Sequence, residues 1–327
     1  MLVPSKYILT PKISQLLSSI EASREVINSI QIPPEVEINI RRQFNLKSSL
    51  FSARIEGNLL TLDELSKSSS KNKQKIEVFN ILRALNWIQG RSLKDMLLKD
   101  ILKLHSLVLA GLIEKDQLGK LRKQASAIFN SAGITIYMTP RPSQIEPLLN
   151  KLQSYINSSK EPFVPIKALL THFIFEKIHP FLNGNGRVGR LLIQLTLKKE
   201  NYDMEGLLSL EEYLDNHRSL YYSSLEDSER DVTGYLEFML EAMAETAQKI
   251  KELVLQKEKA DVTDYLLPRR AEILNIIKDH GMVSFNDIQR RFMSIPPRTL
   301  SYDLKKLQEA NFIRKRGTTK GVHYEAN

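Results

Sequence analysis

The chain holds no cysteine in 327 residues. That excludes disulfides, thiolate metal ligands and cysteine nucleophiles outright. It also lacks any apolar run of the roughly 20 residues a membrane-spanning helix needs, so no membrane partner is expected. The opening MLVPSKYILTPK does not have the basic-then-apolar layout of a secretory leader. A cytoplasmic protein is the simplest expectation. Internal repeats and extended low-complexity stretches are absent too. What remains is an ordinary globular composition, 42% hydrophobic and 26% charged, with enough chain for about two domains. The formal net charge is +9, and it is uneven. Residues 268–327 carry twelve Lys or Arg against six acids, an excess of +6. Such a segment suits a polyanionic partner, although a solvated basic surface would look the same.

Most of the chain reads as helix. Pro34, with Glu35 and Glu37 behind it, can open a helix that runs to Gly57, a good left-handed stop. SKSSSKNKQK (66–75) reads as a loop. Apolar periodicity then places helices at 76–89, 95–110, 143–156, 165–178, 187–200, 210–226 and 232–257. ASAIFNSAGITIYMTP (125–140) breaks the pattern, with two short apolar pieces flanking Asn130 to Gly133, and predicts a small hairpin. QKIKELVLQKEKADVTD (248–264) reads as the end of a long helix running into a charged connector.

The chemistry concentrates in HPFLNGNGRVGR, residues 179–190. Helical periodicity before and after makes it a loop delivered to a helix N-terminus. Exposed N–H groups and the positive end of the helix dipole make that position an anion site. Gly184 and Gly186 let the backbone curl toward phosphate oxygens. Arg187 and Arg190, three apart, can lean toward one anion. His179 beside them is suited to taking a proton from an incoming hydroxyl. Together these parts suggest transfer of a nucleotide-derived group to an –OH.

Those twelve residues resemble the motif of the Fic (filamentation induced by cAMP) family, HPFx[D/E/N]GNGRxxR. ILKLHSLVLAG (101–111) with GKLR (119–122) is similar to the family's earlier elements, where His105 reads as structural. The resemblance implies a mainly α fold, with a Fic-type helical core at 95–250 and a small β-hairpin flap. It implies protein adenylylation: AMP from ATP passes to a Ser, Thr or Tyr hydroxyl and pyrophosphate leaves. His179 would be the base and Phe181 a core anchor. Gly184, Asn185, Gly186 and Arg187 would cradle the phosphates, and Arg190 would reach the γ-phosphate. Asn183 stands where many members have the Mg²⁺-holding carboxylate, and its amide oxygen could ligate Mg²⁺ without supplying charge. The flap near 128–139 would align the target protein by strand addition. A homodimer also follows from the resemblance.

SARIEGN (52–58) is similar to the family's inhibitory motif, [S/T]xxxE[G/N]. Taken alone, Glu56 at a helix end, before Gly57 and one turn beyond Ser52, would be a water-screened acid in an unfavourable dipole position. The resemblance implies instead that Glu56 pairs with Arg190, from a helical region at 1–94, and holds the enzyme inactive. In some members the same glutamate positions a water that removes AMP, so both directions stay open. After a connector at 251–267, residues 268–327 resemble a winged helix-turn-helix domain. Its helices would be RRAEILNIIKDHG (269–281), one capped by Ser284 and Asp287, and RTLSYDLKKLQEANF (298–312), with a wing around Gly317 and Gly321. Arg298, Lys305, Lys306, Arg314, Lys315, Arg316 and Lys320 are its candidate DNA contacts. Such modules also dock proteins. A DNA-binding regulator with a nucleotide-sensing Fic domain is therefore the alternative from another class.

Overall fold

The computed structural model describes residues 3–30, 34–67, 72–92, 94–129, 135–258, 266–293, 295–317 and 322–327. They divide into two compact units, one of residues 1–31 with 40–255 and one of 32–39 with 256–327.

The first unit is helical. α1 (Pro11–Ser29) is opened by Thr10, whose hydroxyl accepts the Ile13 N–H, and buries Ile13, Ile20 and Ile27 at seven-residue spacing. α2 (Pro34–Ile55) stops two residues before Gly57, which takes φ 96°. α3 (Leu62–Lys67) and α4 (Lys73–Gln89) shorten the loop expected at 66–75, because the Asn72 side chain caps α4 early; residues 68–71 lie outside the described ones. α5 (Leu98–Val108) precedes a hairpin of β1 (Ala127–Phe129) and β2 (Thr135–Met138), paired antiparallel with Ala127 opposite Met138. Residues 130–134, the expected turn, lie outside the described residues.

α6 (Pro142–Ile156) leads to α7 (Val164–Ile178), which is buried from Pro165 through Ile178. α8 (Asn185–Lys199) packs along α7 and also against α4 and α5. An apolar helix between others explains why α7 carries almost no polar stripe. The helix expected over 210–226 is instead two, α9 (Glu211–Asn216) and α10 (Arg218–Ser224). His217 leaves the helical region, and its Nδ1 lies 2.9 Å from the Tyr213 carbonyl oxygen. That carbonyl also takes the His217 N–H, which turns the chain locally. α11 (Thr233–Glu258) follows.

The second unit holds α12 (Pro268–His280), β3 (Met282–Ser284), α13 (Phe285–Arg291), α14 (Pro297–Glu309), β4 (Ile313–Arg316) and β5 (His323–Ala326). β5 lies between β3 and β4 in an antiparallel sheet. Ser284 and Asp287 form the expected capping box. Leu300, Leu304 and Leu307 of α14 join Ile273, Leu274 and Ile277 of α12 in one core. Strand β3 was not expected. α14 stops at Glu309 because Asn311 turns left-handed (φ 61°) and sends Phe312 toward β4.

Candidate active site

The motif begins where α7 ends. His179 caps that helix in the left-handed region, φ 48° and ψ 60°, with its N–H still bonded to the Phe175 carbonyl at 2.9 Å. A non-glycine residue holds that conformation only when its surroundings impose it. Arg122 does much of the imposing. Its guanidinium donates to the carbonyls of His179 (2.8 Å), Gln124 (2.8 Å), Pro140 (2.7 Å) and Ile178 (3.4 Å), and to the Thr139 hydroxyl (2.9 Å). One buried side chain thus ties the histidine turn to the base of the hairpin. Its own pKa is lowered by burial.

Burial also lowers the His179 pKa below its ordinary 6.5, with nearby Arg122 adding to the effect. The imidazole is therefore neutral at pH 7, the form a base requires. Its Nδ1 faces the Glu176 carbonyl at 3.4 Å. His105 is likewise held neutral, its pKa lowered to about 4 by burial. Its Nδ1 accepts the Gly119 N–H at 2.9 Å, and its ring stacks on Phe181 with centroids 3.9 Å apart. His105 is thus placed as a structural residue, and Phe181 is fully buried beneath the loop.

Asn185 braces the turn from within: its amide donates to the Phe181 carbonyl (2.9 Å) and its oxygen accepts the Phe181 N–H (3.0 Å). Gly184 opens α8 at φ 79°. Gly186 matters for space: a Cβ there would lie 2.5 Å from Glu56 Oε1. The Glu56 carboxylate therefore rests directly on the backbone of the glycine loop. Its partner is Arg190, 2% exposed, whose Nη2 donates to Glu56 Oε1 (3.0 Å) and to the Ser52 carbonyl (2.9 Å) while Nε donates to the Ser52 hydroxyl (3.0 Å). Burial works against the Arg190 charge, but Glu56 and Tyr221 outweigh it and raise its pKa. Ser52, Glu56 and Arg190 are brought together, as are His179, Phe181 and the glycines.

Arg187 stands differently. It is paired with Glu77 of α4, Nη1 to Oε1 at 2.5 Å. Asn183 is exposed at the loop's outer edge, beside a cleft of about 560 Å³ lined also by His105, Lys120, Lys123 and Leu182. Among the described residues no three His, Asp or Glu side chains converge to hold a metal ion. The donor set fits Mg²⁺ only as an ion shared with nucleotide phosphates, which is how Mg²⁺ is commonly bound. On the hairpin, Tyr137 donates to Glu229 (2.9 Å) while Lys177 Nζ lies 4.6 Å over its ring. Ile136 and Met138 remain exposed there. Arg122 was visible in the sequence only as part of GKLR. Glu77 gave no signal, being 110 positions from its partner.

In the C-terminal unit the basic candidates are mostly answered locally. Arg314 and Arg316 pair with Glu325, and Lys305 and Lys306 with Glu309. Arg298 and Lys315 are exposed; Lys320 lies outside the described residues.

The helical core has likenesses among known proteins. Residues 95–197 match the Fic/DOC family. Among curated proteins it is similar to the protein adenylyltransferase Fic of Drosophila mojavensis, 25% identical over 244 residues, covering 70% of this chain and 46% of that one. The Drosophila virilis counterpart is 23% identical over 290 residues, 81% of this chain and 57% of that one. The chain thus spans about half the length of the curated relatives it matches. Among solved structures, a Fic family protein from Desulfovibrio desulfuricans G20 superposes with TM-score 0.67 at 22% identity, covering 98% of this chain and 97% of that one. A fragment of Fic-1 from C. elegans gives 0.61 at 20% identity, covering 75% and 73%. These two likenesses concern the fold. Among the described residues no helix is long and apolar enough to cross a membrane.

Proposed function

We propose that the chain is a self-inhibited protein adenylyltransferase that moves AMP from ATP to a Ser, Thr or Tyr hydroxyl of a protein, itself included. The observation that carries this reading is the Glu56 carboxylate lying over Gly186 and bonded to Arg190 at 3.0 Å. It occupies the space a phosphate needs and the arginine that would bind it. With Glu56 withdrawn, the α8 N-terminus with Gly184 and Gly186 would receive the phosphates, and Arg190 would clamp their far end. Neutral His179 would take the proton of the target hydroxyl as its oxygen attacks the α-phosphorus, and the bond to pyrophosphate breaks. Asn183 would ligate a Mg²⁺ that neutralises phosphate charge. A target segment would dock along the exposed Ile136 and Met138 edge of the hairpin.

A second reading, removal of AMP, is favoured by one detail. Glu56 uses Oε1 for Arg190, and its side chain stays 26% exposed with no described bond at Oε2. That oxygen is available to orient a hydrolytic water.

Intact-mass measurement after incubation with ATP and Mg²⁺ tests both. Glu56→Gly should gain an AMP-sized adduct that wild type and the Glu56→Gly, His179→Ala double variant do not. No adduct on Glu56→Gly would refute transfer, and an equal adduct on wild type would refute inhibition. Wild type added to the AMP-bearing protein should release AMP only if the second reading holds.

A further inference from the structure

One strong contact at the phosphate loop has no part in the scheme above. Arg187, the loop's other arginine, is held by Glu77 at 2.5 Å in a pair whose side chains are only 12% and 15% exposed. The pose is incomplete on the arginine side: its Nε is buried without an acceptor among the described residues. A buried donor left unmet is costly, so the guanidinium is not in the setting that satisfies it best. The carboxylate side, by contrast, is well anchored. Glu77 Oε2 accepts the Asn58 amide at 2.8 Å. Asn58 also donates to the Gln74 carbonyl (2.9 Å), accepts the Leu60 N–H (3.0 Å), and bonds through its own N–H to the Ala53 carbonyl at the end of α2 (3.1 Å).

We propose that Glu77 is a second inhibitory carboxylate, holding Arg187 from the nucleotide phosphates as Glu56 holds Arg190, with Asn58 joining the two restraints. The inference rests on the reading of the loop as a phosphate site. Two carboxylates then answer two arginines, and an incoming polyphosphate meets a loop whose side-chain charge is already neutralised. Asn58 follows Glu56 by two residues, so any displacement of the α2 end drags on the anchor of Glu77. The opposite role, Glu77 steering Arg187 onto the phosphates, predicts the opposite sign.

The experiment is calorimetric titration of the full chain with Mg²⁺–ATP and, separately, with adenosine. Glu77→Gln, which keeps an amide oxygen for Asn58, should bind ATP about tenfold tighter, the gain from freeing one charge-assisted phosphate contact. Glu77→Asp, which keeps the charge, should stay close to wild type. Asn58→Ala should tighten ATP in the same direction by a smaller factor. Adenosine affinity should not move in any of them, because adenosine offers Arg187 no phosphate. Unchanged or weaker ATP binding by Glu77→Gln overturns the second restraint, as does an equal shift for adenosine. Arg187→Ala separates the two levels. If it loses ATP affinity while Glu77→Gln gains none, only the restraint fails. If Glu77→Gln gains ATP affinity and adding Arg187→Ala to it leaves that gain intact, the gain does not come from Arg187 meeting phosphate, and the phosphate-site reading itself fails.

Discussion

Replacing Arg122 with methionine should damage both the fold and the reaction, by amounts that can be worked out. The guanidinium serves five acceptors, four of them main-chain carbonyls at 2.7–3.4 Å. Methionine preserves much of the volume and none of the donors. A hydrogen bond to a charged group contributes about 1.5–3 kcal/mol, but bonds sharing one side chain do not add. Among the described residues no carboxylate pairs with this cation, and its burial already costs something, as its lowered pKa indicates. A net loss of about 3 kcal/mol is expected, equivalent to roughly 6–12 °C in melting temperature for a unit of this size. The catalytic effect should be selective. His179 would be free to leave its φ of 48°, so turnover in a Glu56→Gly background should fall while ATP affinity holds, the cradle being built from other residues. Thermal melts and the separation of kcat from ATP binding give the readout. A melting temperature within 2 °C of wild type, or equal losses in kcat and affinity, would refute the view that Arg122 fixes the histidine turn.

Asn183→Asp should strengthen Mg²⁺-dependent nucleotide binding, because a charged oxygen replaces a neutral one at an exposed position; titration of ATP with and without Mg²⁺ checks it, and no change would separate residue 183 from the metal. Glu176→Gln tests a buried acid. Its carboxyl pKa is raised from 4.5 to about 8 by burial, so the folded chain keeps a proton that the unfolded chain releases. Stability from this group is complete below pH 4.5 and falls as pH rises through about 8. Urea melts at pH 5 and 8 should show that the variant loses less stability over this interval than wild type does.

The candidate loop was legible because it is a dense local pattern in sequence. A histidine, two glycines and two arginines follow one another within twelve residues, the spacing a single anion site would need. The helices on either side announce themselves by apolar spacing, and the capping box at Ser284 by its two residues alone. Other features escaped for physical reasons. α1 buries three isoleucines seven apart among Ser, Glu and Lys, a stripe too thin to stand out. β3 has three residues, and its existence depends on β5, forty positions later. The break at His217 turns on one side-chain bond to a carbonyl. Glu77 on Arg187 is a tertiary pair with nothing local to mark it. Likewise, the net charge of residues 268–327 was visible, but which cations pair with Glu309 and Glu325 depends on the helix face and on strand register.

The seating of Glu56 on Gly186 has an evolutionary consequence. Under the proposed function brake and cradle would share one backbone position, so drift at residue 186 could not ease the first without spoiling the second. Any larger side chain there would evict the carboxylate and crowd the nucleotide together. On that reading, descendants of this chain can change how tightly Arg190 is held from the α2 side, through Ser52, Glu56 and the Gly57–Asn58 turn. A cellular signal faces the same geometry: the place to push is the helix end, and the catalytic loop can stay invariant while its control is rewritten.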